Sequence, residues 1–411
     1  AVTMALDLRS YACVTAAYWA FTLTDGALRM LVLLHFHQLG YSPLDLAVLF
    51  LLYEVMGIVT NLVGGWLAAR YGLRLTLYAG LALQIVALAM LSAVRPDWSM
   101  AGSVAYVMAA QALSGIAKDL TKMSSKSAVK LVAGEGTLFK WVAILTGSKN
   151  ALKGLGFFVG GVLLESLGFV VALWALAAAL AVVLAASAGY LRGDLGQARS
   201  QARMAELFSK DRAVNILSAA RLFLFGARDV WFVVALPLFL TSALGWGFAE
   251  VGGFLAAWVI GYGFIQAAAP ALLRGTRNAG SGARSARLFG FALAAVPAVM
   301  ALALGRGGVS DAAVVIGGLA VFGALFAINS SVHSYLILAY ADSDKVAMTV
   351  GFYYMSNAAG RLIGTLLSGL VFQAAGLGGC LWTSAAMVAA AAALALLLPQ
   401  GLTAATPASP P

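Results

Sequence analysis

Charge is scarce in this chain. Only 10% of its 411 residues are Asp, Glu, Lys or Arg, against about 25% in a soluble globular domain. Because 62% are hydrophobic and the mean hydropathy is +0.93, the shortage excludes an ordinary soluble enzyme or binding module. Cysteine is nearly absent: Cys13 and Cys380 lie far apart in apolar stretches, which excludes a disulfide framework and any thiol cluster. Histidine is limited to His35, His37 and His333. With no H-E-x-x-H or acidic metal motif, neither a metal, a cofactor nor a catalytic centre is expected. The short alternating segments of a β-barrel are missing as well. No large soluble basic domain exists to grip a duplex, so the net charge of +10 does not indicate nucleic acid.

What is present is apolar length. Runs of about 20 or more mostly apolar residues recur along the whole chain, enough for helices to cross a bilayer repeatedly. They predict spans at about 10–39, 43–69, 73–94, 99–117, 137–167, 168–191, 211–241, 247–272, 287–305, 311–339, 345–373 and 375–398. The first is too long for the apolar core of a signal peptide and carries Asp25 and Arg29, so no cleaved leader is expected. With the N-terminus inside, the inner loops collect Arg70, Arg74, Lys118, Lys122, Lys126, Lys130 and the arginines of 192–210 and 274–287. The outer loops hold only Arg95 and Arg306. By the positive-inside rule both termini are cytoplasmic.

The polar stretch 192–210 divides the chain into two six-helix bundles, 1–191 and 211–398, and the tail 399–411 is expected to be disordered. The halves look alike at an offset of about 204–208 residues. Asp25 maps near Asp229, and Leu39-Gly40-Tyr41 onto Leu244-Gly245-Trp246. Ser148-Lys149-Asn150-Ala151 with Lys153 maps onto Ser356-Asn357-Ala358 with Arg361. Repeated bundles predict a binding site between them near the midplane.

The charges that do enter the membrane are mostly positive. Arg29, Lys149, Lys153, Arg221, Arg228 and Arg361 lie deep in predicted spans, facing only Asp25, Glu54 and Asp229. A lone charge at the bilayer centre costs roughly 2.5–3.5 kcal/mol, so such residues need a reason. One reason is internal pairing: Asp25 and Arg29 are i, i+4 and can neutralise each other, and Arg228 can meet an acid on another helix. The other is a substrate that brings negative charge. Lys149 and Lys153 share a helix face, as do Asn357 and Arg361, and no acid is spaced to serve both lysines. Arginine suits bidentate binding of phosphate-like groups and lysine acts as a compact charge. The expected anion contacts are Arg29, Lys149, Asn150, Lys153, Arg221, Arg228, Asn357 and Arg361. Asp25, Glu54 and Asp229 are the candidates for coupling transport to protons.

Between spans 2 and 3 the chain reads GGWLAARYGLR over 64–74. This resembles the loop signature of the major facilitator superfamily, although Ala69 stands at its usual acidic position. The resemblance implies an all-α membrane fold of 12 transmembrane helices in two six-helix bundles. Three stretches, YWAFTLTDGALR (18–29), KDLTKMS (118–124) and FKWVAILTGSKNALKG (139–154), resemble the organoarsenical efflux permeases of bacterial arsenic-resistance operons, the ArsJ type. That resemblance implies an inner-membrane exporter of 1-arseno-3-phosphoglycerate, giving arsenate resistance. Its functional partner would be a glyceraldehyde-3-phosphate dehydrogenase that makes the ester; membrane lipid is its other neighbour. A phosphate or organophosphate carrier satisfies the same charges. A membrane-embedded enzyme is the distant alternative, and the chain is expected not to be an enzyme.

Overall fold

A computed structural model describes residues 2–132, 138–191, 211–273, 279–340 and 346–399. Among these residues every regular element is a helix. They are α1 (Val2–Gln38), α2 (Pro43–Tyr71), α3 (Leu73–Ser92), α4 (Met100–Val132), α5 (Leu138–Leu167) and α6 (Phe169–Tyr190). Then come α7 (Arg212–Phe232), α8 (Ala235–Ser242), α9 (Phe248–Leu272), α10 (Ala279–Ala303), α11 (Asp311–Tyr340) and α12 (Val346–Ala395). Helices satisfy their own backbone polar groups, which is what an apolar solvent demands. Nine helical stretches among the described residues are long and apolar enough to cross a membrane, and one of them, Phe352–Ala395, is long enough for two spans. Adding α1 and α5, which carry the charges Asp25, Arg29, Lys149 and Lys153, gives the twelve transmembrane helices expected.

Several edges differ from those predicted, each for a physical reason. Span 4 was expected to end near 117, yet α4 continues to Val132. Its last turns are polar but contain no Gly or Pro, and Thr121, Ser124 and Ser125 bond back to carbonyls of the preceding turn. Lys118, Lys122, Lys126 and Lys130 therefore ride on a helix and not in a loop. Span 7 is broken into α7 and α8. Pro237 cannot donate to the carbonyl a turn earlier, and the freed N–H groups of Val234 and Ala235 donate to the Ser368 hydroxyl at 3.0 and 3.1 Å. Spans 11 and 12 run together as α12, turning at Gly376, whose φ of 66° suits glycine. Gly72, with φ 79°, makes the tight turn between α2 and α3 that the GGWLAARYGLR string predicted. The linker 192–210 and the tail from 400 onward lie outside the described residues.

The chain forms two compact units. Unit 1 is Ala1–Gln201, Phe232–Gly263 and Thr365–Gly376; unit 2 is Ala202–Trp231, Phe264–Gly364 and Leu377–Pro411. In unit 1, α1 packs on α4, α5 and α6, while α4 packs on α2 and α3. The α1–α5 seam is built on small residues. A Cβ at Gly26 would meet the Lys153 carbonyl at 2.5 Å, and one at Gly160 would meet the Ala27 carbonyl at 2.5 Å. Such residues let backbones touch in a bilayer, where apolar burial alone does not drive helices together.

Unit 1 also joins segments from both sequence halves at its predicted outer end. A Cβ at Gly252 would meet the Phe157 carbonyl at 2.5 Å, fixing α5 against α9. Glu165 accepts the Ala249 N–H at 2.9 Å, and Gln373 accepts the Leu44 N–H at 3.1 Å. In unit 2, α10 packs on α11, and a core around Leu217, Ala286, Val332, Leu336 and Tyr353 is fully buried. There α7 meets α12 closely: a Cβ at Gly364 would lie 2.8 Å from the Gly226 carbonyl.

Candidate functional site

The close seams decide which charges meet. In unit 1 the α1–α5 contact at Gly26 and Lys153 brings the Lys153 ammonium to 3.7 Å from the Asp25 carboxylate. Tyr53, from α2, donates its hydroxyl to both Asp25 oxygens at 2.8 and 2.9 Å. Arg29 turns the other way. Its guanidinium lies 3.2 Å from Glu54 on α2, 5.3 Å from the Phe50 ring centre and 5.8 Å from that of Tyr53. The intrahelical Asp25–Arg29 pair allowed by spacing is therefore replaced by two interhelical pairs. Lys153 thus has an acid of its own, Asp25.

Asp25, Arg29, Tyr53 and Gln111 line a small internal cavity of about 10 Å³, with Leu28 and Phe50 as its apolar walls. That is about the room one water needs, and these polar groups are enough to hold one. Lys149 and Asn150 stand one turn before Lys153 on α5, both half-buried. Ser148 beside them accepts the Trp19 indole N–H at 2.8 Å, a second polar tie from α5 to α1.

Unit 2 holds the counterpart. The α7–α12 seam sets Asp229 between two guanidinium groups, Arg228 at 2.7 Å and Arg361 at 3.6 Å. The repeat predicted that Asp25 corresponds to Asp229, and Lys153 to Arg361. Within each unit the acid meets its cation, Asp25 with Lys153 at 3.7 Å and Asp229 with Arg361 at 3.6 Å. Arg221 is tied to neutral partners. It donates to the Asn357 side chain at 3.1 Å and to the Ser330 hydroxyl at 3.0 Å, with its guanidinium 3.9 Å from the Phe225 ring centre. Asn357 is thus a support for Arg221, one turn from Arg361.

Exposure ranks the cations. The side chains of Lys153, Arg228 and Arg361 are 18–20% exposed, whereas that of Arg29 is 9% exposed and residue Arg221 is 5%. The first three are partly open to the surroundings; Arg29 and Arg221 are built into the packing. Glu54 and Asp229 are buried to 1%.

Two groups escaped the sequence reading. Asp119 on α4 is 1% exposed and its carboxylate accepts from the Thr60 hydroxyl. Lys118 lies 4.2 Å from the centre of the Tyr53 ring. Ending span 4 at 117 hid their depth; the lysine spacing on a continuous helix would have revealed it. An open crevice of about 600 Å³ lined by His35, Glu165, Phe169 and Trp246 lies instead at the predicted outer end of unit 1.

The sequence profile of the Major Facilitator Superfamily matches residues 12–279. No curated protein matches the chain. Two solved structures share the fold. One is a crystal structure of a mutant of the nucleoside transporter NupG, with TM-score 0.74 and 13% identity, covering 96% of this chain and 98% of that one. The other is a POT family transporter in complex with a thioalcohol-conjugated peptide, with TM-score 0.71 and 14% identity, covering 94% of each chain.

Proposed function

This chain belongs to the major facilitator superfamily, and from that premise we propose that it exports a small, multiply charged anion, 1-arseno-3-phosphoglycerate. It is a multi-pass membrane transporter of the superfamily's general kind. The observation that carries the proposal is the set of partly exposed cations at membrane depth: Lys153 in unit 1, Arg228 and Arg361 in unit 2. Each unit supports a site for one oxyanion, and this ester carries an arsenate group at one end and a phosphate at the other. The arsenic assignment rests on the ArsJ-type strings at 18–29, 118–124 and 139–154. The charges themselves ask only for a phosphate-like group.

The carrier works in the inner membrane with both termini in the cytoplasm. An anion arriving from that side weakens the hold of Asp25 on Lys153, and of Asp229 on Arg361, by competing for the same donors. A ligand that binds one conformation with such added contacts shifts the carrier toward it. Proton coupling is assigned to the buried acids Asp25, Glu54 and Asp229.

The test is arsenate resistance in a sensitive bacterium expressing the chain with and without its partner dehydrogenase. Resistance that needs both proteins, and that Lys153→Ala, Arg228→Ala and Arg361→Ala abolish at normal membrane levels, is the expected result. A well-expressed pair that confers no resistance removes the arsenic reading and leaves a phosphate or organophosphate carrier.

A further inference from the structure

On α4, Lys118, Lys122, Lys126 and Lys130 recur every four residues. At 1.5 Å and 100° per residue each step rises about 6 Å and turns about 40°, so the four positions make a gently winding ladder about 18 Å long. The stretch Met100–Ser125 of α4 is long and apolar enough to cross a membrane, and Lys118 and Lys122 lie within it. Asp119 is the single acid of α4, and its carboxylate is engaged by Thr60. Beyond it toward Val132, α4 carries no acid; 61–71 of α2 and all of α3 carry none, and Arg70 and Arg74 add charge of the same sign.

The positive-inside rule and the helix dipole account for lysines at the far end. They do not account for the top rung. Lys118 is half-buried within the span, with its ammonium over the Tyr53 ring. The hydroxyl of that ring donates to Asp25, which pairs with Lys153. The ladder thus ends one side chain away from the unit 1 cation cluster.

We propose that these lysines form an approach track for the anion. It is a weak, extended binding surface for a phosphate-type oxyanion, leading from the Val132 end of α4 to the Tyr53–Asp25–Lys153 cluster. The inference rests on the reading of that cluster as the anion site. Its physical basis is steering: a run of one charge sign beside low-dielectric walls concentrates an oppositely charged solute, by roughly 10- to 1,000-fold in on-rate. Anionic lipid headgroups share this chemistry, so the test separates the two.

A cysteine is placed at Ser148 in a Cys13→Ser, Cys380→Ser background, and the protein is set in neutral-lipid nanodiscs. Its reaction rates with a negatively charged sulfonate thiol reagent and with a positively charged one are compared. The expected result is a preference for the anionic reagent that falls about tenfold in the Lys122→Gln, Lys126→Gln, Lys130→Gln variant at low salt. It falls less at 0.5 M salt, where charges are screened over only a few ångströms. Lys126→Glu alone gives the same direction in a chain altered at one position. An unchanged ratio overturns the proposal. So does a lysine effect seen only in anionic-lipid discs, which makes the ladder a headgroup anchor. Lys153→Ala tests the underlying reading separately: if transport survives that change while the reagent preference still depends on the ladder, the site assignment fails and the track stands.

Discussion

Replacing Asp25 by Asn removes one charge while keeping the shape that accepts the Tyr53 hydroxyl. The Lys153 ammonium then lies in the membrane without the carboxylate now 3.7 Å away. At that distance and an effective dielectric of about 20, the attraction is about 4.5 kcal/mol before desolvation is counted. Breaking a buried pair by losing one partner typically costs about 3–5 kcal/mol, because the remaining charge is stranded. Asp25→Asn and Lys153→Met should therefore each destabilise the folded protein by about 3 kcal/mol. The double variant strands neither charge, so it should lose no more than about 3 kcal/mol rather than twice that, a coupling of at least about 3 kcal/mol. The assay is a double-mutant cycle on the unfolding free energy of purified protein in detergent. Transport is read in parallel: the double variant folds but loses it. Coupling below about 0.5 kcal/mol would refute the ion pair. Full transport by the double variant would refute Lys153 as an anion contact.

The same logic gives Arg29 a different signature. Its loss takes the Arg29 charge from the buried Glu54, so Arg29→Ala should lower the amount of protein in the membrane, and adding Glu54→Gln should restore it, as measured by immunoblot. Ser368→Ala removes the acceptor of the Val234 and Ala235 N–H groups at the break between α7 and α8, and should cost about 1–3 kcal/mol of stability by detergent unfolding. Gly252→Leu places side-chain atoms where the Phe157 carbonyl now sits. It should open the α5–α9 seam, raising the reactivity of a cysteine introduced at Phe248 toward impermeant thiol reagents; unchanged labelling would show that the seam tolerates bulk.

The spans were legible because a bilayer permits few solutions for an apolar chain, and span edges failed where polarity and helix propensity disagree. At the end of α4, lysines and serines read as a loop to a hydropathy argument, yet nothing there breaks a helix. Position and charge identified Asp25, Arg29, Lys153, Asp229 and Arg361, and the internal repeat matched Asp25 with Asp229 and Lys153 with Arg361. It did not say that Asp25 touches Lys153, or Asp229 Arg361. The i, i+4 rule favours Asp25–Arg29, a local pairing, whereas the contacts are set by interhelical approach at Gly26, Gly160 and Gly364. Glycine spacing shows that a helix can approach another without naming the partner, and so without naming the salt bridge.

Those contacts also relocate the excess of positive charge. Six deep cations against three acids suggested a surplus shared by both halves. The geometry distributes it unevenly. Unit 1 matches Asp25 with Lys153 and Glu54 with Arg29, two carboxylates for the three deep cations Arg29, Lys149 and Lys153. Unit 2 sets one carboxylate, Asp229, between two guanidinium groups that are both partly exposed. An anion at Arg361 and Arg228 meets net positive charge from the start, while an anion at Lys153 must first compete with Asp25. The two proposed oxyanion sites are therefore unequal: Arg228 and Arg361 would supply the standing attraction, and Lys153 would answer only when its own carboxylate yields.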